Sequence, residues 1–182
     1  MLIQRRPDLA ERITFNFVGT SNNAKTNEDR VVLPMAERRG VAGLISEKPQ
    51  RIPYADALQI TATSDVLLLI GTTEAHYTAS KIFNNLMTGR PFLSIYHCKS
   101  SAHAILKSAG GGFAHCFDSF PPSDIELEPL VESLEHLALR PGSVGKVDPT
   151  SYEPYTARNI AARYARIFDR MVGDHVAAEE GV

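Results

Sequence analysis

Residues 61–96, TATSDVLLLIGTTEAHYTASKIFNNLMTGRPFLSIY, pack a strand, a loop, a helix and a second strand into one continuous stretch. Val66-Leu67-Leu68-Leu69-Ile70 is a run of large aliphatics without alternation, the pattern of a parallel strand covered on both faces. Gly71-Thr72-Thr73 breaks the run, and a polar loop, Glu74-Ala75-His76-Tyr77-Thr78, follows. Thr78 or Ser80 is placed to cap a helix over 79–88, whose Ile82, Phe83, Leu86 and Met87 share a face and which Gly89 ends. Arg90-Pro91 then opens the apolar strand Phe92-Leu93-Ser94-Ile95-Tyr96. A βαβ unit of this kind commits its strands to a parallel sheet. It also places a helix start at a strand's carboxyl end, where open α/β sheets bind ligands and phosphates above all.

The rest of the chain repeats the alternation. Strands are expected at 13–18, 44–46 and 113–117, and helices at 31–39, 52–60, 100–108, 127–139 and 155–171. Residues 1–11 read as a polar lead-in, 140–154 as a linker containing Pro, Gly and Ser, and 173–182 as a flexible tail. Residues 12–172 then form a single α/β domain built on a doubly wound parallel sheet. A chain of 182 residues is long enough for one such domain with a proper core.

Charge and composition exclude several classes. A net charge of −2 offers no basic field, which argues against nucleic acid or an anionic membrane as partner. No apolar run approaches the length of a spanning helix, and the first residues carry no export signal. Cys98 and Cys116 therefore read as buried thiols in a reducing cytoplasm. The histidines show no metal-ligand spacing, the glycine triplet 110–112 lacks the Gly-Lys-Ser/Thr of a P-loop, and no Ser-His-Asp arrangement emerges.

The stretch Ser80-Lys81-Ile82-Phe83-Asn84-Asn85-Leu86-Met87-Thr88-Gly89-Arg90-Pro91-Phe92-Leu93 resembles the donor-site segment of family-four-like glycosyltransferases. These enzymes are built from two Rossmann-like domains (the GT-B type), and the segment belongs to the C-terminal one. Phe17-Val18-Gly19-Thr20 resembles that family's opening strand and glycine turn. Ser64-Asp65-Val66-Leu67-Leu68 resembles the strand before the donor site, and residues 155–171 resemble the closing helix. Spanning about 12–171, the resemblance implies a Rossmann-like domain, the C-terminal half of a glycosyltransferase of hexosyltransferase type with retaining stereochemistry. Its donor would be a nucleoside diphosphate sugar, with no cofactor and no metal.

The resemblance puts the diphosphate at Thr78, Ala79, Ser80 and Lys81, where backbone N–H groups, a helix start and a point charge converge. It adds Gly19 and Lys25 from the first loop and backbone near Ser46 and Glu47 for the nucleobase; Glu74 reads either as a contact to a sugar hydroxyl or as a cap on a helix dipole. The family's Glu-x7-Glu pair falls on His76 and Asn84 here; an amide can still bond a hydroxyl, whereas imidazole does not reproduce an acceptor-only anion. The N-terminal Rossmann-like half has no counterpart in this chain. The expected partners are therefore a nucleotide sugar and either a separate chain supplying that half or a second copy. Residues 155–171 would present apolar area towards that partner. The alternatives are a non-catalytic Rossmann-like module that binds nucleotide or protein, and a flavodoxin-like binding domain.

Overall fold

Pairing, not length, organises the five strands found among the described residues. All are parallel to their neighbours, and they are hydrogen-bonded in two groups, β1–β2 and β3–β4–β5. The structure, a computed structural model, describes residues 2–77, 79–119 and 124–179, without the side chains of 124–126 and 173–179. In order the elements are α1 (Leu2–Arg5), α2 (Pro7–Ala10), β1 (Phe15–Val18), α3 (Val32–Arg38), β2 (Ile45–Lys48), α4 (Tyr54–Thr63) and β3 (Leu67–Ile70). They continue with α5 (Lys81–Met87), β4 (Phe92–His97), α6 (Ser101–Ala109), β5 (Gly112–Phe117), α7 (Asp124–Leu139) and α8 (Ala157–Glu179). The chain is thus α/β with parallel strands, as its alternation requires. The one continuous sheet expected is, among the described residues, two smaller ones, because β1 and β3 do not pair.

The three-stranded sheet carries the core. Leu67 and Leu69 of β3 and Phe92 and Tyr96 of β4 share one face, which α5 covers with Ala79 (just before it), Ile82 and Leu86, and α6 with Ala102, Leu106 and Ala109. The period of 3.6 in both helices and the aliphatic run of β3 produce this layer directly. On the opposite face α7 reaches β5: His115 Nε2 lies 2.8 Å from Ser133 Oγ, and the Phe113 ring meets His136 edge-on at 5.3 Å. Gly89 leaves α5 with φ +66°, a left-handed backbone that a β-carbon disfavours. Arg90 then donates from Nε to the carbonyl of Ala62 at 2.6 Å, fastening the end of α4 to the entry of β4.

Four expectations change. The opening residues do not hang loose: Leu9 and Ala10 are buried, and Arg5 pairs with Glu128 of α7. Their polarity disguised two helical turns, one of them started by Pro7. The cysteines are not free thiols. Cys98 follows β4, Cys116 lies in the adjacent β5, and with their Cα atoms 4.8 Å apart they form a disulfide. They therefore lend no support to a cytoplasmic location. No helix among the described residues is long and apolar enough to cross a membrane. Between α7 and α8, three short 3-10 turns replace the expected linker, and α8 continues through Glu179 instead of stopping at 171.

Gly112 faces Phe92 across the β4–β5 pair, and a β-carbon there would overlap the Phe92 carbonyl oxygen and ring. Gly112→Ala is expected to lower unfolding stability by about 1–3 kcal/mol. Gly142→Ala, with nothing within 4 Å of its added carbon, should change stability by less than about 0.5 kcal/mol. Urea denaturation of the two variants checks the difference.

Candidate functional site

The loop from β3 to α5 leaves the sheet at a tight point. Gly71 N donates to Ile95 O at 2.8 Å, and a β-carbon on Gly71 would overlap the Tyr96 ring. Tyr96 itself is buried, and its phenol is pushed up to about 12 by that burial and by neighbouring Tyr77. Beyond Gly71 the loop is held by its own turns. Glu74 N donates to Thr72 Oγ1 at 3.3 Å and Tyr77 N to Glu74 O at 3.2 Å. Ser100, buried at the start of α6, secures the far side. Its hydroxyl donates to Tyr77 O at 2.9 Å and accepts from Ala102 N at 3.2 Å.

Along this loop the residues expected to bind a donor separate into classes. Glu74 and His76 are exposed, as are Ser80 and Lys81, the residues that open α5. Ala79 is buried in the core, so only its backbone could meet a ligand. Thr78 lies outside the described residues. Ser80 does not cap α5 with its hydroxyl: its own backbone is already helical (φ −57°, ψ −26°), not the extended form a cap takes. The first turn of α5 contains no acidic residue. Asn84, one turn on, is engaged: its amide donates to the Tyr54 hydroxyl of α4 at 3.1 Å.

The first loop is arranged differently. Gly19 has φ +71° and donates to Lys48 O at 2.9 Å. Its β-carbon would meet only ordinary contacts, the nearest being Arg51 Cα at 3.8 Å, so backbone conformation is what asks for glycine there. Lys25 is exposed. Its amide donates to Asp29 Oδ2 at 2.7 Å, and the Thr26 amide reaches the same oxygen at 3.0 Å. Those two N–H groups hold the Asp29 carboxyl below its ordinary value, and they are already committed to an internal carboxylate.

Glu47, on β2, has the most heavily bonded side chain near either loop. Thr20 Oγ1 donates to its Oε1 at 2.6 Å and Val31 N to the same oxygen at 3.0 Å, while Val32 N and Leu33 N donate to Oε2 at 2.9 and 2.7 Å. Burial pushes this carboxyl up, but the Thr20 hydroxyl and the three backbone N–H groups outweigh it and bring it down to about 2. The carboxylate thus fills the start of α3 as an external anion would. The backbone at Ser46 and Glu47 is likewise occupied, paired in register with Asn16 and Phe17 of β1, with Glu47 O also accepting from Arg30 Nε at 3.3 Å. One signal for Glu47 lay in the sequence: in Ile45-Ser46-Glu47-Lys48 the acid shares a strand face with Ile45.

A cleft of about 790 Å³ runs between the unpaired edges of β1 and β3 and is walled by α4 and α7. Phe15, Phe17, Leu68, Ile60, Leu134 and Leu137 make it largely apolar, and none of the expected site residues lines it. Its charged groups, Arg12 and Asp65, sit at the amino ends of β1 and β3. Ligands of open α/β sheets bind beyond the carboxyl ends, on the side of Gly19 and Gly71. Among the described residues no cluster of His, Cys, Asp or Glu could hold a metal ion. His103 is buried with no hydrogen-bond partner at Nδ1, and burial first, then Lys107, lowers its basicity.

Compared with family models, with curated proteins and with solved structures, the chain finds no match in any of the three.

Folded Glu47 titrates at about 2 instead of its ordinary 4.5. Its contribution is complete above the ordinary value and is lost as pH falls through about 2. Glu47→Gln is expected to cost about 2–3 kcal/mol near neutral pH, since it removes charge and acceptor capacity from four donors. The gap between variant and native protein in urea titrations should narrow steadily as the solution is acidified below about pH 4.5.

Proposed function

We propose that the chain is a doubly wound, Rossmann-like module that binds a nucleoside diphosphate sugar at the β3–α5 loop, the donor-binding half of a glycosyltransferase. The β3–α5 loop carries this reading. It follows the carboxyl end of β3, a strand parallel to β4, and open α/β sheets bind nucleotides beyond such ends. The loop leads into α5 with Ser80 and Lys81 exposed and with no acid in the first turn of that helix. The start of α3, another helix entered from this end, is closed by Glu47.

In this reading backbone N–H groups of the loop and the Lys81 ammonium hold the diphosphate. Glu74 and His76 stand over the sugar, and Asn84 meets a hydroxyl after exchanging its Tyr54 bond. Gly19 and Lys25 border the site from the first loop, contributing the lysine ammonium and not its amide. Transfer to an acceptor requires an N-terminal half of the same enzyme type and would proceed with retention. A cytoplasmic location would suit a nucleotide-sugar substrate. A second reading, a nucleotide-binding module without transfer, gains from one observation. The position of the second family glutamate is Asn84, and its amide is already held by Tyr54.

A thermal-shift titration against UDP, GDP, ADP and their sugar conjugates tests the proposal. Saturating ligand at about 100 times its Kd should stabilise the native protein by about 2.7 kcal/mol. Lys81→Ala should lose most of that gain without changing the ligand-free unfolding temperature, because Lys81 is exposed. No response to any of these ligands would reject donor binding by this chain. Binding that persists without glycosyl transfer, even with an N-terminal partner chain present, would select the second reading.

A further inference from the structure

Among the described residues nothing covers helix α8 beyond its base. Its base is fixed: the Tyr155 ring stacks on Phe83 of α5 at 4.5 Å, and Asn159 Nδ2 donates to Glu153 O at 2.7 Å. From there every residue through 172 is exposed, on the apolar face as well as the polar one. Ile160, Tyr164, Ile167, Phe168 and Met171 are 39–63% exposed, and Tyr164 and Phe168 stack on each other at 6.3 Å. At about 100° per residue these side chains, with the small residues Ala161, Ala165 and Val172, sweep an arc of roughly 160°.

The charge along the apolar part of this helix is equally one-sided. Residues 157–172 contain Arg158, Arg163, Arg166 and Arg170 against the single acid Asp169, a net +3 in a chain of net −2, so the remaining residues carry −5. The whole-chain charge therefore conceals a basic element. Arg163 and Arg170 border one side of the apolar arc and Arg158 the other, with Arg166 opposite it. None of the four pairs with a carboxylate among the described residues. The next acids in the sequence, Asp174 and Glu179, come after the stripe has ended.

We propose that α8 is a membrane-surface helix that lays this arc into the headgroup boundary of an anionic bilayer, without crossing it. Charge complementarity favours this occupant over a second copy. Two such helices packed face to face would bring arginines against arginines with one aspartate each to relieve them. Width favours it over a coiled-coil partner too, since a two-stranded seam covers a narrower stripe than roughly 160°. An arc edged by arginines, whose stems lie along apolar surface while their heads reach phosphates, is the form that suits a lipid interface.

Vesicle co-sedimentation of the full chain tests this, with phosphatidylcholine alone and with phosphatidylglycerol added at about one lipid in three. The native protein should bind the anionic vesicles at least about tenfold more tightly than the neutral ones, and high salt should remove the difference. Phe168→Glu should abolish binding, and the double variant Arg163→Gln/Arg170→Gln, at one edge of the arc, should reduce it to the neutral-vesicle level. Both changes lie on an exposed helix outside the core, so circular dichroism and the unfolding temperature should match the native protein. Absence of any preference for anionic vesicles would overturn the proposal. So would Phe168→Glu binding like the native chain, or a native dimer that binds no vesicles and dissociates on Phe168→Glu.

Discussion

One carboxylate decides how the first part of this molecule is assembled. Glu47 projects from β2, accepts from Thr20 in the loop after β1, and receives the amides of Val31, Val32 and Leu33 at the start of α3. Four donors converging on one buried anion keep it ionised, and they tie strand, loop and helix into a unit that β1–β2 pairing alone would hold weakly. The same bond set has a functional consequence. A helix start is where a phosphate would be drawn, and here that place is taken by the protein's own charge. The donor site proposed at the β3–α5 loop follows from this exclusion as much as from the loop itself.

The second unit rests on apolar packing. Phe92 and Tyr96 sit between the layer formed by α5 and α6 and the strands on either side, with Gly71 and Gly112 leaving room for their rings. Because Gly71 is held this closely to Tyr96, the loop that follows starts from a fixed point. Ser100 fixes it again at Tyr77. Between these anchors the polar residues Glu74 and His76 face solvent. The two units meet across the apolar cleft, with α4 and α7 as walls, and α4 is joined to the second unit by Tyr54–Asn84 and Arg90–Ala62.

The elements were legible where a short-range rule governs them. The unbroken aliphatics of β3, the 3.6-residue stripe of α5 and the stop at Gly89 each encode their own structure. The strands and helices of residues 61–117 lie within a few residues of their expected places. What escaped depended on partners distant in sequence. Glu47 is an ordinary acid until Thr20 and the α3 amides surround it. Cys98 and Cys116 become neighbours only because β4 and β5 pair, and Leu9 is buried although the sequence around it is polar. The break between β1 and β3 is likewise invisible in two strands that both read as sheet-forming. Near the proposed site, residue types placed Ser80 and Lys81 at the opening of the helix after β3, where the structure has them, but nothing local announced that Ser80 would fail to cap or that Tyr54 would hold Asn84.

The molecule closes one helix start with Glu47 and, in the proposed reading, leaves the β3–α5 loop open to a diphosphate. Amide chemical shifts followed by NMR during titration with UDP, GDP or ADP separate the two places. The amides of Gly71 through Ile82 should move while those of Val31, Val32 and Leu33 stay in place. Movement of the latter three with the loop unaffected would mean that the ligand displaces Glu47, and would contradict that reading.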